Sequence, residues 1–152
     1  LDYYKNIWFN AKNKFYNIAP SILSPSWFIQ AIYQTYLITY NKNHKDLLFD
    51  VSDYLSTRNM FKINNPDNLN MSVATWMEGL TDSYYLALKL KDKNRMEKYK
   101  NSIRIGYQNM LQLKIKSENV LKNNGYIESI NKKILRVDWN QHALHFYLKF
   151  YS

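Results

Sequence analysis

The chain has 152 residues, 46% of them apolar and 16% aromatic, with three glycines, three prolines and no cysteine. That length suits one domain with a core, few turn formers argue against a many-stranded sandwich, and the lack of cysteine excludes disulfides, thiolate nucleophiles and cysteine zinc sites. The net charge of +9 comes from scattered lysines, 17 against four arginines, with no zinc-finger, basic-zipper or RNA-binding signature, so nucleic acid is a disfavoured partner.

No apolar run approaches the roughly 18 residues that span a bilayer, so no membrane span is expected. Leu1-Asp2-Tyr3 is neither an initiator methionine nor a signal peptide, and the chain reads as a processed product or a fragment. Ser24 before Pro25 reads as an N-cap followed by proline in a first helical turn. Ile32, Thr35, Tyr36, Thr39 and Tyr40 then form one stripe at helical spacing, and Leu47, Leu48, Val51, Tyr54 and Leu55 a second. A third helix starts at Asp67 or Asn70, after Pro66, with Val73, Trp76, Met77, Leu80, Tyr84, Ala87 and Leu88 on its face. A fourth carries Met96, Tyr99, Ile103, Tyr107, Met110 and Leu111. The polar links Asn41-Lys42-Asn43-His44 and Lys91-Asp92-Lys93-Asn94 make each consecutive pair an antiparallel hairpin. Residues 117–137, with Gly125, Tyr126, Ile127, Ile130, Ile134 and Val137, are expected to form an irregular loop or a short β-hairpin.

The hairpins repeat. A shift of 48 residues takes Ala31 to Gly79, Ile32 to Leu80 and Tyr36 to Tyr84, and likewise Leu48 to Met96, Val51 to Tyr99 and Leu55 to Ile103. Such a period belongs to stacked helical pairs. A third copy starts where His142-Ala143-Leu144 aligns with Gln30-Ala31-Ile32 and Glu78-Gly79-Leu80, after a step of 64 instead of 48. Shifting backward puts Val51 on Tyr3 and Leu55 on Ile7, which places the start of the chain on the outer helix of a preceding hairpin.

The densest chemistry lies in Arg136-Val137-Asp138-Trp139-Asn140-Gln141-His142-Ala143-Leu144, at the start of the last helix. Asp138 and His142, four apart, share a helical face and can pair, either as an acid–base couple or as a structural pair holding the last hairpin. His145 extends that face to a conceivable metal set, but no further ligand is visible and no metal or cofactor is expected. Arg136 can clamp a carboxylate or phosphate, or pair with Asp138 or Glu128. Paired carboxyl groups are the usual apparatus of sugar chemistry, and Glu78, Asp82, Glu128 and Asp138 are the candidates.

The Gly125-Tyr126 turn followed by this run resembles the C-terminal part of the α/α-toroid, or six-hairpin, superfamily of sugar epimerases, glycosidases, polysaccharide lyases and related bacterial proteins. The pattern it resembles is G-G-F…R-I-D-x-x-Q-H-x-L-S-A-L; Asn124 stands at its first glycine, Tyr126 at its phenylalanine, and His145-Phe146-Tyr147 at its last three positions. The resemblance implies an all-α fold in which antiparallel hairpins form part of a toroid, and a ligand rim at the N-terminal ends of the inner helices. It implies Glu78, Asp138 and His142 as catalytic groups, and Gln30, Trp76, Glu128, Arg136 and Trp139 as ligand-binding ones, with Trp27 close by. Trp27 and Trp76 also lie on or beside apolar stripes, where packing is the alternative. The implied function is binding or processing of a glycan or uronate, the implied partners being carbohydrate and either another chain or the rest of its own chain. The alternative is a non-catalytic helical repeat module that binds another protein.

Overall fold

The computed structural model describes residues 25–63, 69–119 and 123–151. Among them are five α-helices and one two-stranded sheet: α1 (Pro25–Thr39), α2 (Lys42–Leu55), α3 (Ser72–Lys89), α4 (Lys93–Leu111), β1 (Ile127–Ser129), β2 (Lys132–Leu135) and α5 (Val137–Tyr151). The fold is thus all-α with a short β-hairpin insertion, as the periodicity predicts. Ser24, Asp67, Tyr3 and Ile7 lie outside the described residues.

The hairpin turns are tighter than the sequence suggests, because Lys42–His44 and Lys93–Asn94 already belong to helices. Asn41 caps α2 by accepting the Asn43 amide at 2.8 Å, and Asp92 caps α4 by accepting that of Arg95 at 3.1 Å. Before each cap stands one left-handed residue, Tyr40 at φ 50° and Lys91 at φ 58°. At Lys91 the paired bonds Lys91 N–H to Leu88 O and Asp92 N–H to Ala87 O close the end of α3. Tyr40 therefore leaves its predicted stripe for a turn and is exposed, while Leu88 and Leu111 fall at the exposed edge of theirs.

Helix α3 is the centre of the molecule and packs on α4, α1 and α5, and less extensively on α2. Its buried Met77 and Leu80 share a core with Ile29 and Ile32 of α1, Leu48 and Leu55 of α2, Tyr99 and Ile103 of α4, and Phe146 of α5. Side-chain bonds near the starts and ends of α3 and α5 show that these two run parallel, and Gln30 beside Glu78 with Tyr33 near Asp82 sets α1 in the same direction. The approach of α1 to α3 depends on Gly79, where a Cβ would stand 2.9 Å from Ser26 Cα. Of the three small residues that the repeat aligns, Gly79 and Ala143 are buried in contacts between helices, but Ala31 faces outward.

The β-hairpin is tied into the helical frame on both sides. Met71 N–H donates to Glu128 O at 2.9 Å, and Ile127 N–H to Leu113 O at 3.0 Å. Asn124, where the resembled pattern has glycine, sits at φ 67°, a region asparagine tolerates better than most residues. Asn140 of α5 locks the next turn, accepting the Tyr126 amide at 2.8 Å and donating to the Tyr126 and Arg136 carbonyls. These ties hold the insertion at the N-terminal ends of α3 and α5.

Candidate functional site

Gln30, Glu78 and His142 occupy the second turns of α1, α3 and α5, and they meet. Glu78 is almost wholly buried; its Oε2 accepts from Gln30 Nε2 at 3.2 Å, and its Oε1 stands 3.0 Å from His142 Nδ1 and 3.5 Å from His145 Nδ1. Gln30 also reaches Ser26 Oγ at 3.2 Å. A carboxylate only accepts, so against Glu78 the Nδ1 of His142 carries the proton and Nε2 is left as the basic nitrogen. That Nε2 has no hydrogen-bond partner among the described residues and is not sealed off, since the His142 side chain is 19% exposed. Two indoles flank the imidazole, Trp27 at 6.3 Å and Trp139 at 6.2 Å between ring centroids. Trp27 is 55% exposed, so it is a surface platform and not a core residue.

One to two turns further along, the seam between the helices stays polar. Asp82, also buried, accepts from Lys149 Nζ at 2.7 Å, and Tyr85 donates to the Lys149 carbonyl at 3.1 Å. Burial pushes the Asp82 carboxyl above its ordinary range even with Lys149 beside it, and its Oδ2 has no partner among the described residues. Burial, with the nearby Asp82 charge, raises the Tyr33 phenol too. Three rows at helical spacing therefore face one another: Ser26, Gln30, Tyr33; Glu78, Asp82, Tyr85; and His142, His145, Lys149.

Several expected roles change. Asp138 does not bond His142; its carboxylate takes both arms of Arg136, Nε to Oδ1 at 3.0 Å and Nη2 to Oδ2 at 2.6 Å, on the exposed start of α5. Those bonds hold the Asp138 carboxyl below the usual range and the Arg136 guanidinium above its own. Local fork geometry wins on the surface, while His142 turns inward to a carboxylate that water does not reach. Asp138, His142 and His145 accordingly form no common coordination sphere, and among the described residues no three His, Asp or Glu groups are placed to hold a metal ion. Trp76 packs on the core beside Phe61, 6.2 Å between centroids, and not on the imidazole.

Glu128 and Arg136 border the site through Trp139. The guanidinium lies over the Trp139 ring at 5.5 Å, and Glu128 faces Lys132 at 3.0 Å and Arg136 at 3.9 Å. Beneath the hairpin is an open cleft of about 350 Å³, lined by Leu69, Asn70, Ser72, Glu128, Ser129, Asn131 and Trp139. No protein-family model, no curated protein and no solved structure matches the chain.

Sequence reasoning missed Ser26, Tyr33 and Lys149. A signal for Lys149 was present, since the 64-residue step that joins Glu78 to His142 also joins Tyr85 to Lys149.

Proposed function

We propose that the chain is a carbohydrate-active helical domain that binds or processes a glycan or uronate at the rim where α1, α3 and α5 begin. One observation carries this reading: a buried carboxylate orients an accessible imidazole between two indoles, one of them largely exposed. Glu78 fixes the tautomer and position of His142 without itself meeting a ligand, and His142 Nε2 is the group that takes or gives a proton. Trp27 and Trp139 offer flat apolar faces of the kind that pack on sugar rings, and Gln30 keeps the second oxygen of Glu78 occupied. In this reading the helices are an arc of an α/α toroid.

The test is incubation of the protein with a panel of neutral and uronic oligosaccharides, following binding calorimetrically and products by mass. Because Trp27 is exposed, Trp27→Ala should leave unfolding within about 0.5 kcal/mol of wild type. It should weaken binding of the active oligosaccharide about tenfold, the scale of losing an aromatic anchor. Equal binding by both proteins would remove the rim from consideration.

A second reading has its own support. Val137, Leu144, Leu148 and Tyr151 make an apolar stripe on α5 and are each more than half exposed. Such a face suits a protein-binding repeat module or docking against another part of the chain. This reading expects association through α5 that Leu144→Lys weakens while oligosaccharides have no effect.

A further inference from the structure

The geometry points to a second ligand position: we infer that the cleft between the β-hairpin and the start of α3 is a subsite for an uncharged sugar unit. It rests on the glycan reading of the neighbouring rim, to which Trp139 connects it, since this indole both lines the cleft and lies 6.2 Å from His142.

The volume, about 350 Å³, sits at the small end of ligand sites, which run from about 300 to 1,000 Å³, and suits a single ring. The wall mixes donors and acceptors. Trp139 contributes to the wall, while its own Nε1–H is buried away from solvent with no acceptor among the described residues. The side chains of Asn131 and Ser72 make no hydrogen bond among the described residues, and Glu128 keeps acceptor capacity beyond Lys132. Hydroxyl groups, which both give and accept, are the complement of such a wall.

Charge argues against an anion. The Ser72, Val73 and Ala74 amides at the start of α3 already donate to Asn70 Oδ1, Asn70 O and Met71 O, so the helix end offers them to no anion. Glu128 places a carboxylate in the wall, no lysine or arginine among the described residues lines it, and Lys132 and Arg136 are engaged by Glu128 and Asp138. A uronate at this position would meet that carboxylate with no cation among the described lining residues to oppose its own charge. The cleft therefore selects neutral units, whatever the rim accepts.

The experiment uses the ¹⁵N-labelled chain with glucose, galactose, N-acetylglucosamine and glucuronate as probes, read at the Trp139 indole N–H and the Asn131 side-chain amide. At least one neutral sugar should shift both resonances saturably, and glucuronate should shift neither. Asn131→Ala should weaken that sugar about tenfold, the upper scale for one neutral hydrogen bond. His142→Asn should leave the shifts in place. The proposal is overturned if no neutral sugar moves these resonances, if glucuronate moves them equally, or if His142→Asn abolishes the shifts while Asn131→Ala does not. Failure of the rim reading is separate: Trp27→Ala would leave oligosaccharide binding intact while the cleft resonances still respond.

Discussion

Two buried carboxylates four residues apart on α3 have opposite surroundings. Glu78 is met by an amide and imidazoles, Asp82 by one ammonium. Because the Asp82 carboxyl is raised in the fold, its neutral form is the one the fold favours. The associated stability is fully present below the ordinary value of 3.8 and is lost as pH rises through the raised one. Urea unfolding across acid to neutral pH should show wild-type stability falling through that window relative to Asp82→Asn; parallel curves would contradict the assignment. Gly79→Ala is the packing counterpart. Its Cβ meets the Ser26 backbone, so helices must shift, and a loss of about 1–3 kcal/mol is expected in chemical denaturation. Residue roles were only half legible in the sequence. Helical spacing offered His142 an obvious partner in Asp138 and did not show that Arg136 would take it; the 64-residue alignment set Glu78 level with His142, but not its burial beneath the imidazole.

Helices and their pairing were legible because the apolar stripes and the 48-residue period report the same core from two directions. Their ends were less so, since capping depends on single side chains. Asp92 is the clearest case: it accepts the Arg95 amide and pairs with the Arg95 guanidinium at 2.8 Å. Asp92→Ala should cost about 1 kcal/mol in thermal or urea unfolding, and Asp92→Asn much less, because an amide oxygen still caps. The Arg95 amide and guanidinium hold the Asp92 carboxyl below 3.8. Its contribution is thus present above that value and lost as pH falls through the lowered one, opposite in sign to Asp82. An unchanged melting curve for Asp92→Ala would mean that α4 starts without this cap. The insertion was foreseen as an irregular loop or a short β-hairpin. Its attachment through Asn140, Met71 and Leu113 rests on backbone pairing that residue types alone do not encode.

At the scale of the molecule, α1, α3 and α5 form a parallel row, α2 and α4 pair with α1 and α3, and the insertion is tied to the starts of α3 and α5. No helix among the described residues is long and apolar enough to cross a membrane. The row lines its seam with polar side chains from the rim onward and leaves an apolar stripe on α5, and the two proposed readings differ in which of these features meets the partner. The central claim is that the Glu78–His142 couple acts on a ligand and does not merely join helices. His142→Gln tests it most directly, since a glutamine amide can still donate toward Glu78 but supplies no basic nitrogen. Stability and oligosaccharide binding or turnover are measured on the same preparation. The account predicts lost binding or turnover with unfolding changed by no more than about 1 kcal/mol. Retained activity, or a loss of about 3–5 kcal/mol as for a broken buried pair, would contradict it and leave the couple a structural one.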